Sequence, residues 1–390
     1  MRDETNNKEE HILWLDGLRG IACTLVFMHH FILAFFPAAY YGIETESSLN
    51  KIDTLLAKST IGIIFNGNFW VCIFCIVSGF VLSLKIMNKR NRGGISESIL
   101  KRYPRLVLPM FFISFLVYFM LKMGLFSNLE AASYTKSEWL SGYYLETVSI
   151  KKVITCSLYS VWFEGDSTFS TAFWMMTPLF MGSFLTYLIG VVTWNANRYI
   201  YIVYAMIAIF MLKKNSLLFC FVVGSLFAYI YYNSKKMMEN HVLGILLLIL
   251  GIYFGGYPSN ASPLDYYSIL AGKLPENINA GQFYHMIGAS LFIYGIFCLK
   301  LGKMILENKI FLRLGKISFA IYLLHIPILF SVTTKIFLIL YKTTKHYFVS
   351  AGVGVCVSGI LLIIVAGLFN KYVEKWCGKI TDKIVNMIYR

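Results

Sequence analysis

Apolar runs of roughly 17 residues or more recur from one end of this sequence to the other, each long enough to cross a hydrocarbon layer of about 30 Å as an α-helix. A transmembrane barrel would instead show short segments of alternating polarity. The chain therefore reads as all-α, a polytopic membrane helix bundle. Its 390 residues would otherwise suggest two or three soluble domains. However, 57% of them are hydrophobic and only 14% charged, more apolar surface than a soluble core can use.

About ten transmembrane helices are expected, near 13–36, 60–84, 105–125, 173–194, 199–212, 216–232, 241–257, 283–299, 317–340 and 348–370. No linker, low-complexity tract or internal repeat divides the chain. One membrane domain, 1–370, is followed by a short basic tail, 371–390.

The net charge of +15 needs a source other than nucleic-acid binding, and its distribution supplies one. With the N-terminus inside, the inner segments hold 22 Lys and Arg, among them seven in 85–105 (Arg90 included), Arg198, Lys235, Lys236, five in 300–316 and five after 370. The outer segments, counted with Lys122 at the outer end of helix three, hold 11, nearly cancelled by ten acidic residues. By the positive-inside rule the surplus sets orientation, with both termini cytoplasmic in a multi-pass cell-membrane protein. The lipid bilayer is then the first partner, and no nucleic acid is expected.

The first apolar stretch carries Asp16, Arg19, His29 and His30, which a cleavable signal would not normally hold, so it is an uncleaved first helix. Cys156 is the one cysteine expected in an outer loop, which leaves no outer disulfide pair. Cys72 and Cys75 sit mid-helix without His or acidic neighbours and read as apolar packing. Two outer loops stand out. Residues 126–172 hold Trp139, Trp162, Glu164 and Asp166, and 258–281 hold Pro258, Pro263, Pro275, Asp265 and Glu276. Aromatics interleaved with carboxylates suit sugar hydroxyls and ring faces, and a passive cap over the bundle is the plainer alternative.

Three constellations carry chemistry. In helix one, Asp16, Arg19 and His30 share a stripe at 100° per residue, and His29 falls about 80° away from Arg19. Arg19 and His30 are about 16 Å apart along the axis, so they can hold opposite ends of one long ligand. The alternative is a structural Asp16–Arg19 pair with His30 bonded to a neighbouring helix, although an ionisable group deep in a membrane usually marks a ligand or proton path. At helix three, Lys101, Arg102 and Arg105 sit where the helix enters the membrane, with Pro104 fixing the entry. Arginines there can clamp phosphate oxygens, with anionic lipid headgroups as the competing ligand. Finally, Ser318, Tyr322 and His325 are spaced i, i+4, i+7 as one polar stripe. That stripe serves either a packed hydrogen-bond network or an active cavity.

At these residues the sequence resembles the acyltransferase-3 membrane family. Leu15-Asp16-Gly17-Leu18-Arg19-Gly20 with His30, then Ser78-Gly79-Phe80, Arg102 to Pro109, and Leu314 to Pro327 occur in the family's order over nearly the whole chain. The resemblance implies a ten-helix enzyme moving acyl groups, most often acetyl from cytosolic acetyl-CoA, to hydroxyls of sugars or other acceptors beyond the membrane. One departure stands out: Trp174 is kept, but Leu179 stands where the family usually has a Glu. With about 20 residues after the last helix, the acceptor is expected to be handled by the membrane domain or by a separate protein.

The residues fit this chemistry in their own right. Acyl transfer from a thioester to an alcohol needs a base, and neutral histidine titrates in the useful range. The expected catalytic group is His30 with Arg19 and Asp16, and Lys101, Arg102 and Arg105 form the expected rim for the phosphates of the donor. Trp174, Glu164, Asp166, Tyr322 and His325 are the expected contacts of a polysaccharide or other hydroxyl-bearing acceptor. No metal is expected, and a homo-oligomer is compatible with all of this. A covalent acyl-histidine relay stays open beside direct attack. The rival class is a transporter or flippase for a glycan or lipid-linked intermediate, which should show paired interrupted helices or an inverted repeat. On this orientation an impermeant thiol reagent labels Cys156 in sealed cells and Cys377 only after permeabilisation.

Overall fold

The computed structural model describes residues 12–42, 51–89, 92–145, 148–193, 199–233, 240–259 and 267–388. Arg90, Arg198, Lys235, Lys236, Pro263 and Asp265 lie outside the described residues, as do the first eleven residues and Arg390. Ten apolar helices follow in the expected order. They are α1 (Leu13–Phe35), α2 (Gly67–Lys89), α3 (Arg92–Lys122), α4 (Met176–Val192), α5 (Ile200–Lys213), α6 (Leu218–Asn233), α7 (His241–Gly255), α8 (Ala280–Cys298), α9 (Ser318–Thr344) and α10 (Tyr347–Ile388).

Length separates them. Among the described residues, α1, α2, α3, α9, α10 and α4 with its lead-in turn from Thr171 are each long and apolar enough to span a membrane. A seventh span forms if α8 is joined to Lys300–Leu306 across a 101° bend. With 14, 16 and 15 residues, α5, α6 and α7 rise only about 21–24 Å and fall short of a full crossing.

Several boundaries differ from the sequence expectation. The second helix begins at Gly67, because 60–65 form a tight 3-10 turn and the buried Asn66 spends its amide N–H groups on the carbonyls of Gly255 and Tyr257. Pro104 does not start the third helix, which runs through Pro104 and Pro109 from Arg92. Its extra turns are held by Lys101, which pairs with Glu97 one turn back and with Asp382 of α10. The last helix continues past 370 through a π-helical turn, Asn370–Glu374, so residues 371–388 are helical rather than a loose tail.

The core sits around α2, which packs against α1, α4, α6 and α8. The crossing of α2 with α6 is close enough to exclude a Cβ from either side. A Cβ on Gly224 would stand 2.1 Å from the Ile76 carbonyl oxygen, and one on Gly79 would stand 2.4 Å from that of Phe221, which accounts for the glycine of Ser78-Gly79-Phe80. At the other end of α1, a Cβ on Gly17 would meet the Leu306 carbonyl at 1.8 Å, and one on Gly315 the Asp16 carbonyl at 2.1 Å. The amphipathic helix Lys309–Lys316 is thereby seated on α1.

The loop 126–172 folds onto the bundle. Ser137 Oγ donates to the Leu33 carbonyl of α1 at 2.8 Å, and the Ser127 N–H donates to the Phe330 carbonyl of α9 at 3.1 Å. Asp166 knots the loop together by accepting from Lys152 Nζ at 2.6 Å, Ser160 Oγ at 2.7 Å, and the N–H and hydroxyl of Thr168 at 2.9 and 2.6 Å. Burial alone would push this carboxyl up, but the hydrogen bonds from Lys152, Thr168 and Ser160 outweigh it and hold the carboxyl below the usual range.

Cys156 and Cys377 are both buried, and burial also pushes the Cys156 thiol up to about 12, so neither serves as a topology reporter. Exposed positions serve instead. A cysteine placed at Lys151 should be labelled by an impermeant reagent in sealed cells, and one at Lys379 only after permeabilisation; labelling of the second in sealed cells reverses the orientation. The Asp166 knot gives a second expectation. Asp166→Ala should cost about 2 kcal/mol, read as a lower midpoint of thermal unfolding in detergent. Because the folded carboxyl is depressed, its contribution is complete above the unfolded range near pH 4 and is lost as pH falls below it. The gap between variant and parent should therefore close in acid.

Candidate active site

In the C-terminal half of α1, His29 and His30 open onto a cavity of about 350 Å³. Its walls come from α1, the short helix Pro37–Tyr41 that follows it, the start of α2 with Gly67 and Asn68, the folded loop with Trp139 and Tyr143, the lead-in turn to α4 with Thr171 and Trp174, and α9 with Tyr322. Glycine is required at 67, since a Cβ there would lie 2.4 Å from the His29 ring. Among the described lining residues none is Asp, Glu, Lys or Arg, so the cavity is aromatic and uncharged apart from what its imidazoles carry.

The protonation pattern of the histidines follows from their partners. His325 is buried, and its Nδ1 lies 2.7 Å from the Tyr322 carbonyl and 3.3 Å from that of Ile321. Carbonyls only accept, so Nδ1 bears the hydrogen and Nε2 of the neutral ring bears the lone pair. That Nε2 stands 3.2 Å from His30 Nδ1, which must then be the donor, shared with the Val26 carbonyl at 2.9 Å. His30 Nε2 is left as a bare lone pair with no protein partner among the described residues, on a half-buried ring that lines the cavity. His29 donates from Nδ1 to the Phe65 carbonyl at 2.8 Å and packs edge-on against His30 and Tyr40. The helical wheel separated the two histidines by face, but the cavity is wide enough to take both.

Tyr322 and Trp174 line the cavity, as expected of acceptor contacts. Tyr322 donates its hydroxyl to the Ala172 carbonyl at 2.5 Å and so fixes the turn Thr171–Met175 that carries Trp174. Glu164 and Asp166 do not line it: Glu164 is exposed outside, and the Asp166 oxygens are occupied by the loop knot. The outer loop contributes different residues. The Trp139 ring lies 5.4 Å from that of His30 and 5.2 Å from Phe330, a lid that sequence reading passed over in favour of the carboxylates. The described residues of the second loop build a separate aromatic cluster of Tyr257, Tyr267 and Tyr284. His285, buried beneath the cavity, donates from Nε2 to the Tyr257 carbonyl at 2.8 Å and accepts from the Asn68 amide at Nδ1 at 3.2 Å.

Cations gather at the opposite end of α1. Arg19 pairs with Asp16 at 3.6 Å. Arg102 donates from Nε to Ser183 Oγ at 2.8 Å, and Ser183 in turn donates to the Leu179 carbonyl at 2.6 Å. Leu179 thus reaches Arg102 through its backbone carbonyl, by way of the Ser183 hydroxyl. Arg102 also lies within electrostatic reach of Arg19 and Arg105. Lys101 differs from these arginines because Glu97 at 2.5 Å and Asp382 at 2.7 Å occupy its ammonium.

Comparison with known proteins bears on this arrangement. A family model described as an acyltransferase domain matches residues 12–368. Acyltransferase R4 of Phoma sp. is 25% identical over 148 residues, 36% of this chain and 32% of that protein. O-acetyltransferase PaAT-1 of Phomopsis amygdali is 30% identical over 124 residues, 30% of this chain and 24% of that one. The matched stretches thus span about a third and a quarter of those two relatives. Acyltransferase clz18 of Cochliobolus lunatus is 22% identical across 97% of this chain and 96% of its own. No solved structure matches. With the family model covering all ten apolar helices up to 368, both histidines and the arginine cluster, the chain belongs to the acyltransferase-3 family of membrane acyltransferases.

Proposed function

We propose that this protein is a membrane O-acyltransferase that moves an acyl group, acetyl in the simplest case, from cytosolic acyl-CoA to a hydroxyl of an uncharged acceptor entering from the other side. The observation that carries this reading is the bare His30 Nε2 in an aromatic cavity, about 16 Å along α1 from Arg19, which pairs with Asp16 and lies, with Arg105, within electrostatic reach of Arg102. Like charges gathered in a low-dielectric setting call for an anion, and the phosphates of CoA are such an anion.

Each group then has a task. Arg19, Arg102 and Arg105 hold the phosphates, Asp16 orients Arg19, and Lys101 ties α3 to α10 so that the arginines keep their places. His30 Nε2 takes the proton of the attacking hydroxyl, and the positive ring keeps its Nδ1–H on His325 Nε2, which holds the imidazole in position. His325 is a positioning residue. Trp139, Trp174 and Tyr143 offer flat faces and few hydrogen-bonding groups, a surface suited to any neutral alcohol. A sugar face and an alicyclic alcohol fit these walls alike, so nothing in the cavity narrows the acceptor to a polysaccharide of the cell envelope.

Purified protein given labelled acyl-CoA and a panel of neutral alcohols tests the reading. His30→Ala should lower transfer by about 10²–10⁴-fold, the range for a general base. His325→Ala removes one neutral hydrogen bond of about 1 kcal/mol and should cost roughly five- to tenfold in kcat. Normal turnover by the His30→Ala protein overturns the assignment. For the donor rim, Arg102→Ala should weaken CoA binding by about 1.5–3 kcal/mol by calorimetry, with affinity falling as salt rises, whereas Lys101→Ala should leave affinity nearly unchanged and lower thermal stability. Equal CoA affinity in the parent and the Arg102 variant removes the rim.

A further inference from the structure

Resting on that acyltransferase reading, we propose that the hydroxyl of Thr171 is a second catalytic group, the donor that receives the negative charge formed on the acyl carbonyl oxygen during transfer. Thr171 is 6% exposed, lines the cavity with His30, and its Oγ1 is buried with no hydrogen-bond partner among the described residues. Its position explains why. Buried hydroxyls elsewhere in the bundle, such as those of Ser183, Thr186 and Ser225, donate to the carbonyl four residues back in their own helix. Thr171 opens a 3-10 turn after the extended Ser170 and has no preceding helical turn to bond. A buried hydroxyl without a partner costs about 1–3 kcal/mol; Ser114 and Ser157 are also unpartnered but do not line this cavity, whereas Thr171 shares it with His30, where a ligand oxygen can complete the bond.

Three neighbouring donors are committed to the protein itself. Tyr322 gives its hydroxyl to the Ala172 carbonyl, Asn68 gives its amide to His285, and His29 gives its Nδ1–H to the Phe65 carbonyl. The Tyr322 bond also anchors the residue next to Thr171, so the free hydroxyl is held in place before substrate arrives, as electrostatic stabilisation requires. The step balances. The acceptor hydroxyl loses its proton to His30 Nε2 as its oxygen bonds to the thioester carbonyl carbon, and the carbonyl π pair moves onto oxygen, where the Thr171 hydroxyl meets it. Collapse restores the carbonyl and breaks the carbon–sulfur bond, and the departing thiolate takes the proton back from His30, leaving an ester and a free thiol.

The test compares Thr171→Val, which keeps the shape without the hydroxyl, with Thr171→Ser, which keeps the hydroxyl. Thr171→Val should lower kcat by about 10²–10³-fold with the acceptor KM within threefold of the parent, and Thr171→Ser should recover to within about tenfold. Thr171→Ala stands in if the valine variant does not survive extraction in detergent, with the same loss expected. An active parent with an equally active valine or alanine variant, or a variant changed in KM alone, overturns the assignment to Thr171 without touching the acyltransferase reading. A parent that transfers no acyl group from any donor in the panel overturns both.

Discussion

The site depends on how closely α1 can be approached where it carries no side chain. Gly17 and Gly20 on α1, with Gly315 facing them, let backbone meet backbone at distances that no Cβ allows. That contact fixes the height and rotation of α1 against the segment leading into α9, and the pairing of His30 with His325 three turns further on inherits the register. The short sequence around Asp16 therefore does two kinds of work. Its glycines set the position of the helix, and its charged residues face the end where the arginines collect.

Electrostatics then divides the molecule lengthwise. Ionised groups are costly in a hydrocarbon setting unless paired or functional; at one end Asp16, Glu97 and Asp382 gather with Arg19, Lys101, Arg102 and Arg105, and at the other they pair in the loop and at its edge, as Lys152 with Asp166 and Lys342 with Glu130, away from the cavity lining. The cavity at the other end is built from rings, small aliphatic groups and amides. His30 and His325 bridge the two regimes as neutral groups linked by a single hydrogen bond.

The class of fold was legible because hydrophobic runs report directly on lipid contact, and all ten apolar helices fall where those runs lie. Helix ends were less legible, since they are set by contacts distant in sequence, as with Asn66 spending its amide on α7 or Lys101 reaching α10. His30, His325 and Tyr322 could be read from spacing and chemistry, because a polar stripe on a membrane helix has few alternative uses, whereas Trp174 came only from the family resemblance. Glu164 and Asp166 misled for a physical reason: a carboxylate in a polar loop is as ready to organise that loop as to meet a ligand, and Asp166 does the former with four hydrogen bonds. Trp139 was legible only as one of the loop aromatics and Thr171 not at all, because their places at the cavity come from how the loop folds back, not from any periodicity.

An uncharged cavity has an energetic corollary for a protein in an energised membrane. Voltage does work of about 2.3 kcal/mol per elementary charge per 100 mV, but only on charge that moves through the field. No Asp, Glu, Lys or Arg lines the described cavity, and the arginine cluster stays at the end of the bundle. In the proposed reaction a neutral alcohol entering and a neutral ester leaving carry no charge across the field. The membrane potential therefore neither drives nor opposes the passage of either, and the rate of this protein in an energised vesicle should match its rate in a collapsed one.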